Sequence, residues 1–226
     1  MSRKPPGKLR RMKAYEPLIE KYSRQATYYD RRWNLRWGEA TLRAAVEAVP
    51  WDELGRVVDV GCGTGVLEQV VRGRLRSPQH LVGVDIALSM LQLARGKLES
   101  TSRISWANAP AEHLPFRTGS FDGLICNNSF HYYRQPLPVV QEFRRVLRPG
   151  GQLILVDWCN DFLTTKLSYW TLRLAHILHI HRYAMNRAYG MEAMKALLAS
   201  AGFRVESAER VPLYMGWGIM VLRARA

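Results

Sequence analysis

Residues 57–65 read Val-Val-Asp-Val-Gly-Cys-Gly-Thr-Gly. An apolar run of strand type, Arg56–Val60, enters a turn with a glycine at every second position, and Val66–Leu75 then has helical composition. A strand, a glycine-rich turn and a helix in that order form the opening unit of a parallel α/β sheet with a ligand over the turn. Glycines there let the backbone turn tightly and approach a ligand closely. The spacing is G-x-G-x-G, and Val66 stands where the dinucleotide fingerprint G-x-G-x-x-G has its third glycine. No G-x-x-x-x-G-K-S/T occurs, which excludes a P-loop.

The rest of the chain supports that architecture. Residues 14–28 and 31–49 read as two helices, closed by Pro50 and Trp51. Then strands and helices alternate. Strands are predicted at His80–Asp85, Arg103–Asn108, Phe121–Asn127 and Gln152–Asp157. Helices are predicted at Ala87–Glu99, where Leu88, Leu91 and Ala94 recur at helical spacing, and at Pro138–Leu147, before Pro149-Gly150-Gly151. An amphipathic helix at 190–201 ends at Gly202, and Phe203–Glu209 and Tyr214–Arg223 read as final strands. Alternation of this kind builds a mostly parallel sheet covered on both faces.

Charge is the unusual bulk property. The 226 residues carry 33 Lys+Arg against 19 Asp+Glu, a net +14, which attracts polyanions such as nucleic acid or an anionic membrane. Six cations and no acid fall in residues 1–13 with Pro5, Pro6 and Gly7, so this segment reads as a disordered basic tail on a single domain of residues 14–226. No apolar stretch of signal type follows it, and the three cysteines include no C-x-x-C pair. A cytoplasmic protein without a zinc ribbon or disulfide framework is expected.

Asp85 closes its strand 20 residues beyond Gly65. An acid there can accept both hydroxyls of a ribose, or cap the helix that begins near Ala87. With these motifs in hand, the chain resembles the class I S-adenosylmethionine-dependent methyltransferases of the ubiquinone/menaquinone-biosynthesis and small-molecule type. The matching residues are Val58–Gly65, Val82–Asp85, Leu114-Pro115-Phe116, Ser120-Phe121-Asp122, Val146–Gly151 and Leu197–Phe203. Tyr29-Asp30 and Trp33 resemble the family's N-terminal helix, which lies over the cofactor, so residues 14–50 are expected as a helical cover. The resemblance implies a Rossmann-like three-layer sandwich, with seven mostly parallel strands and an antiparallel last strand.

It implies S-adenosylmethionine as cofactor. Gly61, Cys62, Gly63 and Gly65 would wrap its methionine and ribose portions, and Asp59 would orient the loop or reach the amino group. Asp85 would hold the ribose, Ile86 would lie against adenine, Ala111 and Glu112 would flank it, and Asn127 would face the donor methyl. Pro110 stands where many relatives carry an adenine-binding Asp, so adenine contacts fall to backbone groups or Asn108.

Methyl transfer asks mainly for alignment and exclusion of water, and for a base only if the acceptor must lose a proton. His131, in Asn127–Tyr133 beyond the fourth strand, is the candidate base, with a packing role as the alternative. Tyr29, Trp33, Tyr132, Tyr133 and Trp170 are the acceptor-pocket candidates. No N-P-P-Y or D-P-P-Y follows the fourth strand and no cysteine follows a proline, which disfavours methylation of nucleic-acid bases. A small apolar acceptor, such as a quinol, a phenol or a lipid precursor, is the expected partner. An RNA or protein methyltransferase, a scaffold that keeps the fold, and a nicotinamide dehydrogenase are the competing readings.

Residues 162–188 carry no Asp or Glu. On a helix, Leu167, Trp170, Leu174, Ile177 and Leu178 form one stripe, with Lys166, Arg173, His176 and His179 mostly to the other side. The stripe suits a membrane interface or the mouth of a lipophilic pocket, or else ordinary core. The cations of residues 3–13 would add attraction to an anionic membrane of ~1 kcal/mol each. His176, His179 and His181 have no acid or cysteine near them, so no metal is expected.

Overall fold

The computed structural model describes residues 8–33, 36–98, 103–177 and 187–226. Helix α1 (Lys8–Trp33) and α2 (Arg36–Ala48) precede the sheet. There follow β1 (Arg56–Val60), α3 (Val66–Val71), β2 (His80–Asp85), α4 (Leu88–Lys97), β3 (Ile104–Asn108) and β4 (Phe121–Asn127). Then come α5 (Pro136–Val146), β5 (Leu147–Trp158), α6 (Leu163–Ile177), α7 (Met191–Ser200), β6 (Arg204–Pro212) and β7 (Gly218–Arg225). Seven strands form one sheet in the order β3-β2-β1-β4-β5-β7-β6. β7 pairs antiparallel with both β5 and β6, and the other pairings are parallel.

Side-chain alternation along the strands decides which helix covers which face. Val58, Val60, Leu124, Cys126, Leu153 and Leu155 pack with Val140, Phe143 and Val146 of α5 and Met194 and Leu198 of α7. Val57, Ile125, Ile154 and Val156 point the other way, onto Ala45 and Val46 of α2 and Leu67 and Val71 of α3. With both faces covered, the central strands are apolar throughout, and each fully buried Leu, Ile or Phe stabilises the fold by about 1.5–3 kcal/mol.

Two of the family-type motifs serve this frame rather than the site. Asp122 Oδ2 accepts the backbone N–H groups of Gly55 (2.9 Å) and Arg56 (2.6 Å), and Arg148 meets Oδ1 at 2.8 Å. These bonds fix the start of β4 against β1 and β5. Glu142 of α5 accepts the N–H of Leu114 at 2.7 Å, while Arg145 donates to the carbonyls of Phe116 (2.8 Å) and Leu114 (3.2 Å). The Leu114–Phe116 loop is thereby latched to α5.

Three expectations change. The first helix begins at Lys8, so the cations of residues 8–13 lie on a helix and not in a tail. α2 covers the sheet against β5 and β7, which leaves α1 as the chief cover of the cofactor edge. The fifth strand starts at Leu147, not Gln152, because Leu147 pairs with Phe121 before the Pro-Gly-Gly turn. Residues 1–7 of the basic tail and Leu178, His179 and His181 fall outside the described residues.

Candidate active site

The carboxyl ends of β1, β2 and β4 open on one edge, and two connected clefts lie there. The larger, about 660 Å³, is lined by Val60, Gly61, Gly63, Val84, Asp85, Ile86, Ala109, Ala111 and Glu112, by Met90 of α4, and by Asn128, Ser129, Tyr132 and Tyr133. Tyr15, Leu18, Tyr22 and Tyr29 of α1 close it from above. The smaller, about 420 Å³, is lined by Asp59, Cys62, Thr64 and Asn127 and shares Tyr29, Gly61, Gly63 and Asn128 with the first. Mostly apolar walls and a few converging polar groups at the carboxyl ends of parallel strands give the larger cleft the form of a small-molecule site.

The turn of residues 61–65 is held by its ligand edge. Gly61 has φ +84°, and a Cβ on it would stand 2.5 Å from Ser129. Gly63 has φ +57° and nothing within 4 Å of where its Cβ would be, so the backbone itself faces the open cleft. Gly65 lines neither cleft; it allows α3 to pack beside Trp106 and Ala94. The Asp85 carboxylate spans the strand end: Oδ2 accepts the N–H of Gly63 at 2.9 Å and Oδ1 that of Ala87 at 2.8 Å. Asp85 thus ties the strand end to the glycine turn and to Ala87, the residue before α4, while facing the cleft; it makes no cap bond to the N–H groups of α4 itself.

Buried acids cluster beneath the turn. Burial, and then the neighbouring Asp85, push the Asp59 carboxyl up to about 8. Glu68 on α3 is raised well above its ordinary range by burial and then by Asp59. Among the described residues, Oδ1 of Asp59, of Asn127 and of Asn128 has no hydrogen-bond partner. All three belong to residues of the smaller cleft. Such orphaned acceptors cost free energy unless a donor arrives.

α1 is fastened over the clefts at both ends. Tyr15 donates to Glu112, and Asp30 accepts from Thr64 Oγ1 at 2.5 Å and pairs with Lys97, which also donates to the Thr64 carbonyl at 3.0 Å. Glu112 thus holds the cover. Asn108 donates to the carbonyls of Asp85 (2.9 Å) and Ile86 (3.0 Å), tying β3 to the end of β2 instead of lining the cleft.

His131 does not line either cleft. It lies 4 % exposed behind Tyr132, with Nδ1 2.7 Å from Asp157 Oδ1 and its N–H donated to Asp157 Oδ2 at 3.0 Å. Burial alone would lower its pKa, but the charge and hydrogen bond of Asp157 outweigh that and raise it to about 9. The imidazole therefore holds its proton at neutral pH. Its ring lies 4.0 Å from that of Tyr132, and Lys21 Nζ sits 3.4 Å from the Tyr132 hydroxyl. Burial would raise that phenol, yet His131, Lys21 and Tyr22 together bring it down to about 8. Tyr15, Tyr22, Tyr29 and Tyr133, the other tyrosines of the cleft, are all pushed up, chiefly by burial.

Of the acceptor-pocket candidates, Tyr29, Tyr132 and Tyr133 meet in the larger cleft. Trp170 does not: it lies on α6 and is 55 % exposed. The side chain of Trp33 is outside the described residues. Sequence reasoning missed Tyr15, Leu18 and Tyr22, although steps of three, four and seven from Tyr15 to Tyr29 mark one helical face. No local signal announces the Asp30–Thr64–Lys97 latch. Among the described residues no cluster of metal-ligating side chains occurs.

A seven-stranded sheet with one antiparallel strand, a glycine turn and an acid at the end of β2 define a class I S-adenosylmethionine-dependent methyltransferase. A methyltransferase-domain family model matches residues 58–155, and the enzyme is an S-adenosylmethionine-dependent methyltransferase. It is 28% identical over 191 residues to a ubiquinone/menaquinone biosynthesis C-methyltransferase of Geobacter sulfurreducens, covering 77% of this chain and 72% of that one. It is 28% identical over 187 residues to a demethylmenaquinone methyltransferase of Thermus thermophilus, covering 76% and 83%. In fold it resembles a solved S-adenosylmethionine-dependent methyltransferase of Thermotoga maritima, with TM-score 0.69, 21% identity and coverage of 90% and 97%. The residues fit the cofactor: the unpartnered oxygens of Asp59, Asn127 and Asn128 are acceptors suited to an α-ammonium group, and the backbone at Gly63 is open to close approach.

Proposed function

We propose that the enzyme methylates a small, lipophilic phenolic acceptor, of which a quinol is the best example, on carbon or oxygen. The observation that carries this reading is the larger cleft, where apolar walls and four other tyrosines surround one phenol, Tyr132, that is held between two cations. The names of the relatives support the acceptor class. The cofactor supplies an electrophilic methyl on a sulfonium.

The residues divide the work. Asp59, Asn127 and Asn128 receive the amino-acid end, Gly61, Cys62 and Gly63 present the turn, and Asp85 accepts the ribose hydroxyls. Ile86, Ala111 and the backbone beside Pro110 enclose the base. Tyr29, Tyr132 and Tyr133 hold the acceptor, and α1 excludes water. Tyr132 takes the proton from the acceptor hydroxyl, which makes the ring electron-rich. His131 and Asp157 are positioning residues behind it. Removing the proton before or during attack is the part of the reaction that a side chain must perform.

The test is transfer of labelled methyl from S-adenosylmethionine to short-tailed demethylmenaquinol-type quinols, against RNA and protein extracts. Label in the quinol fraction is expected; label confined to RNA or protein would overturn the assignment.

Asp59 adds a pH signature. An ammonium beside it favours the carboxylate, so a proton must leave a carboxyl whose pKa is raised. Below its raised pKa the free protein holds that proton, and affinity therefore falls as pH falls. Titration calorimetry of S-adenosylhomocysteine in buffers of different ionisation enthalpy should show release of about one proton per ligand at neutral pH. Equal heats in all buffers would remove Asp59 from the amino-group site.

A further inference from the structure

α6 is built inside out. Thr165 and Tyr169 on one face are 0 % and 8 % exposed, whereas Leu163, Leu167, Trp170, Leu174 and Ile177 are 55–79 % exposed. With 3.6 residues per turn these five fall within a sector of about 80°. The stripe is thus neither core nor cleft wall. Lys166 and Arg173, both exposed, lie along its border rather than opposite it. Beside its first turn stands a second exposed apolar element, Tyr214 and Met215, at 64 % and 71 %. Thr164 Oγ1 donates to the Met215 carbonyl at 2.8 Å, and Thr165 Oγ1 accepts the N–H of Gly218 at 3.3 Å. Met215 has φ +57°, a conformation a methionine rarely adopts, and these bonds hold the turn against α6.

We propose that this combined surface docks the enzyme on an anionic lipid bilayer. A patch of seven large apolar side chains on a water-soluble surface needs a partner. The charges say which kind. Residues 162–188 and 213–217 contain no acid, and the chain carries +14. A second copy would set the same cationic border against itself with no carboxylate to meet it. A bilayer with anionic headgroups accepts both features, the leucines and the tryptophan among the acyl chains and the cations at the headgroups. No helix among the described residues is long and apolar enough to cross a membrane, so docking is peripheral.

Topology adds a functional reason. α6 starts five residues after β5 ends at Trp158, and the 214–216 turn precedes β7, whose Ile219 pairs with Trp158. β5 runs parallel to β4, so the patch lies on the same edge of the sheet as the clefts. Docking brings that edge to the bilayer where a lipophilic acceptor resides. This last point rests on the acceptor class proposed above; the docking surface itself does not.

The test is flotation of the full chain with phosphatidylcholine vesicles, with and without phosphatidylglycerol, at low and high salt. Leu167→Ser combined with Leu174→Ser removes two exposed side chains and spares the fold. Wild type should float with the anionic vesicles, and the double variant should lose at least about tenfold in partitioning. Equal flotation of the two proteins would overturn the assignment of this stripe. So would absence of flotation together with a concentration-dependent dimer that the double variant loses. Activity of both proteins on a short-tailed soluble quinol, without vesicles, should be equal, which separates failure of docking from failure of the acceptor assignment.

Discussion

Asp85→Ala should weaken S-adenosylhomocysteine binding by about a hundredfold or more, because a charged acceptor is worth about 1.5–3 kcal/mol per bond and this carboxylate serves several. It accepts from Gly63 and Ala87. Its loss frees the glycine turn and the start of α4 together, and removes the acceptors for the ribose. Asp85→Asn separates these roles. Its amide oxygen can still accept from Ala87, but its NH₂ would face the Gly63 N–H, donor against donor. The asparagine variant should therefore keep the thermal stability of wild type more closely than alanine does, yet bind the ligand nearly as poorly. Titration calorimetry with a thermal melt of each variant reads both. An alanine variant that is folded and binds within about threefold of wild type, or about 0.65 kcal/mol, would reduce Asp85 to a tie between the strand end, the glycine turn and Ala87.

How much of this was legible before the structure follows from the range of each interaction. β2 and β4 appear at their expected bounds, because each is a short apolar run between clear turn signals. The glycine turn and Asp85 stand out in the sequence for the same reason: both lie within one βαβ unit, and the structure joins them by the bond from Gly63 N–H to Asp85. α1 was harder. Its cations suggested a solvated tail through residue 13, whereas the helix runs from Lys8. α6 shows the limit of periodicity. Its apolar stripe was visible, but a stripe does not say whether the sheet covers it; Thr165 and Tyr169 take the buried face instead. His131 was found by its place after β4, and its partner was not. Asp157 comes opposite only because β4 and β5 pair in register, Asn127 against Val156.

Tyr132→Phe should lower kcat by about 10²–10⁴ with the affinity for S-adenosylhomocysteine unchanged, the usual cost of removing a positioned acid or base. Its phenol is brought down to about 8 by the protonated His131, by Lys21 and by Tyr22, against the opposing effect of burial. A base must be deprotonated, so the rate should rise with pH through that value and level off above it. His131→Gln tests the positioning role, since it removes the buried positive charge while keeping a polar side chain beside Asp157. Tyr132 then regains its proton, and the rising limb of the kcat profile should move to higher pH while the plateau is largely kept. A histidine that merely packs the loop would lower activity or stability without moving that limb. If Tyr132→Phe retains wild-type kcat on a quinol that is not already ionised, the acceptor loses its proton to another group. If His131→Gln instead abolishes activity at every pH, while Tyr132→Phe does not, the imidazole itself is the catalytic group and the order of the relay is reversed.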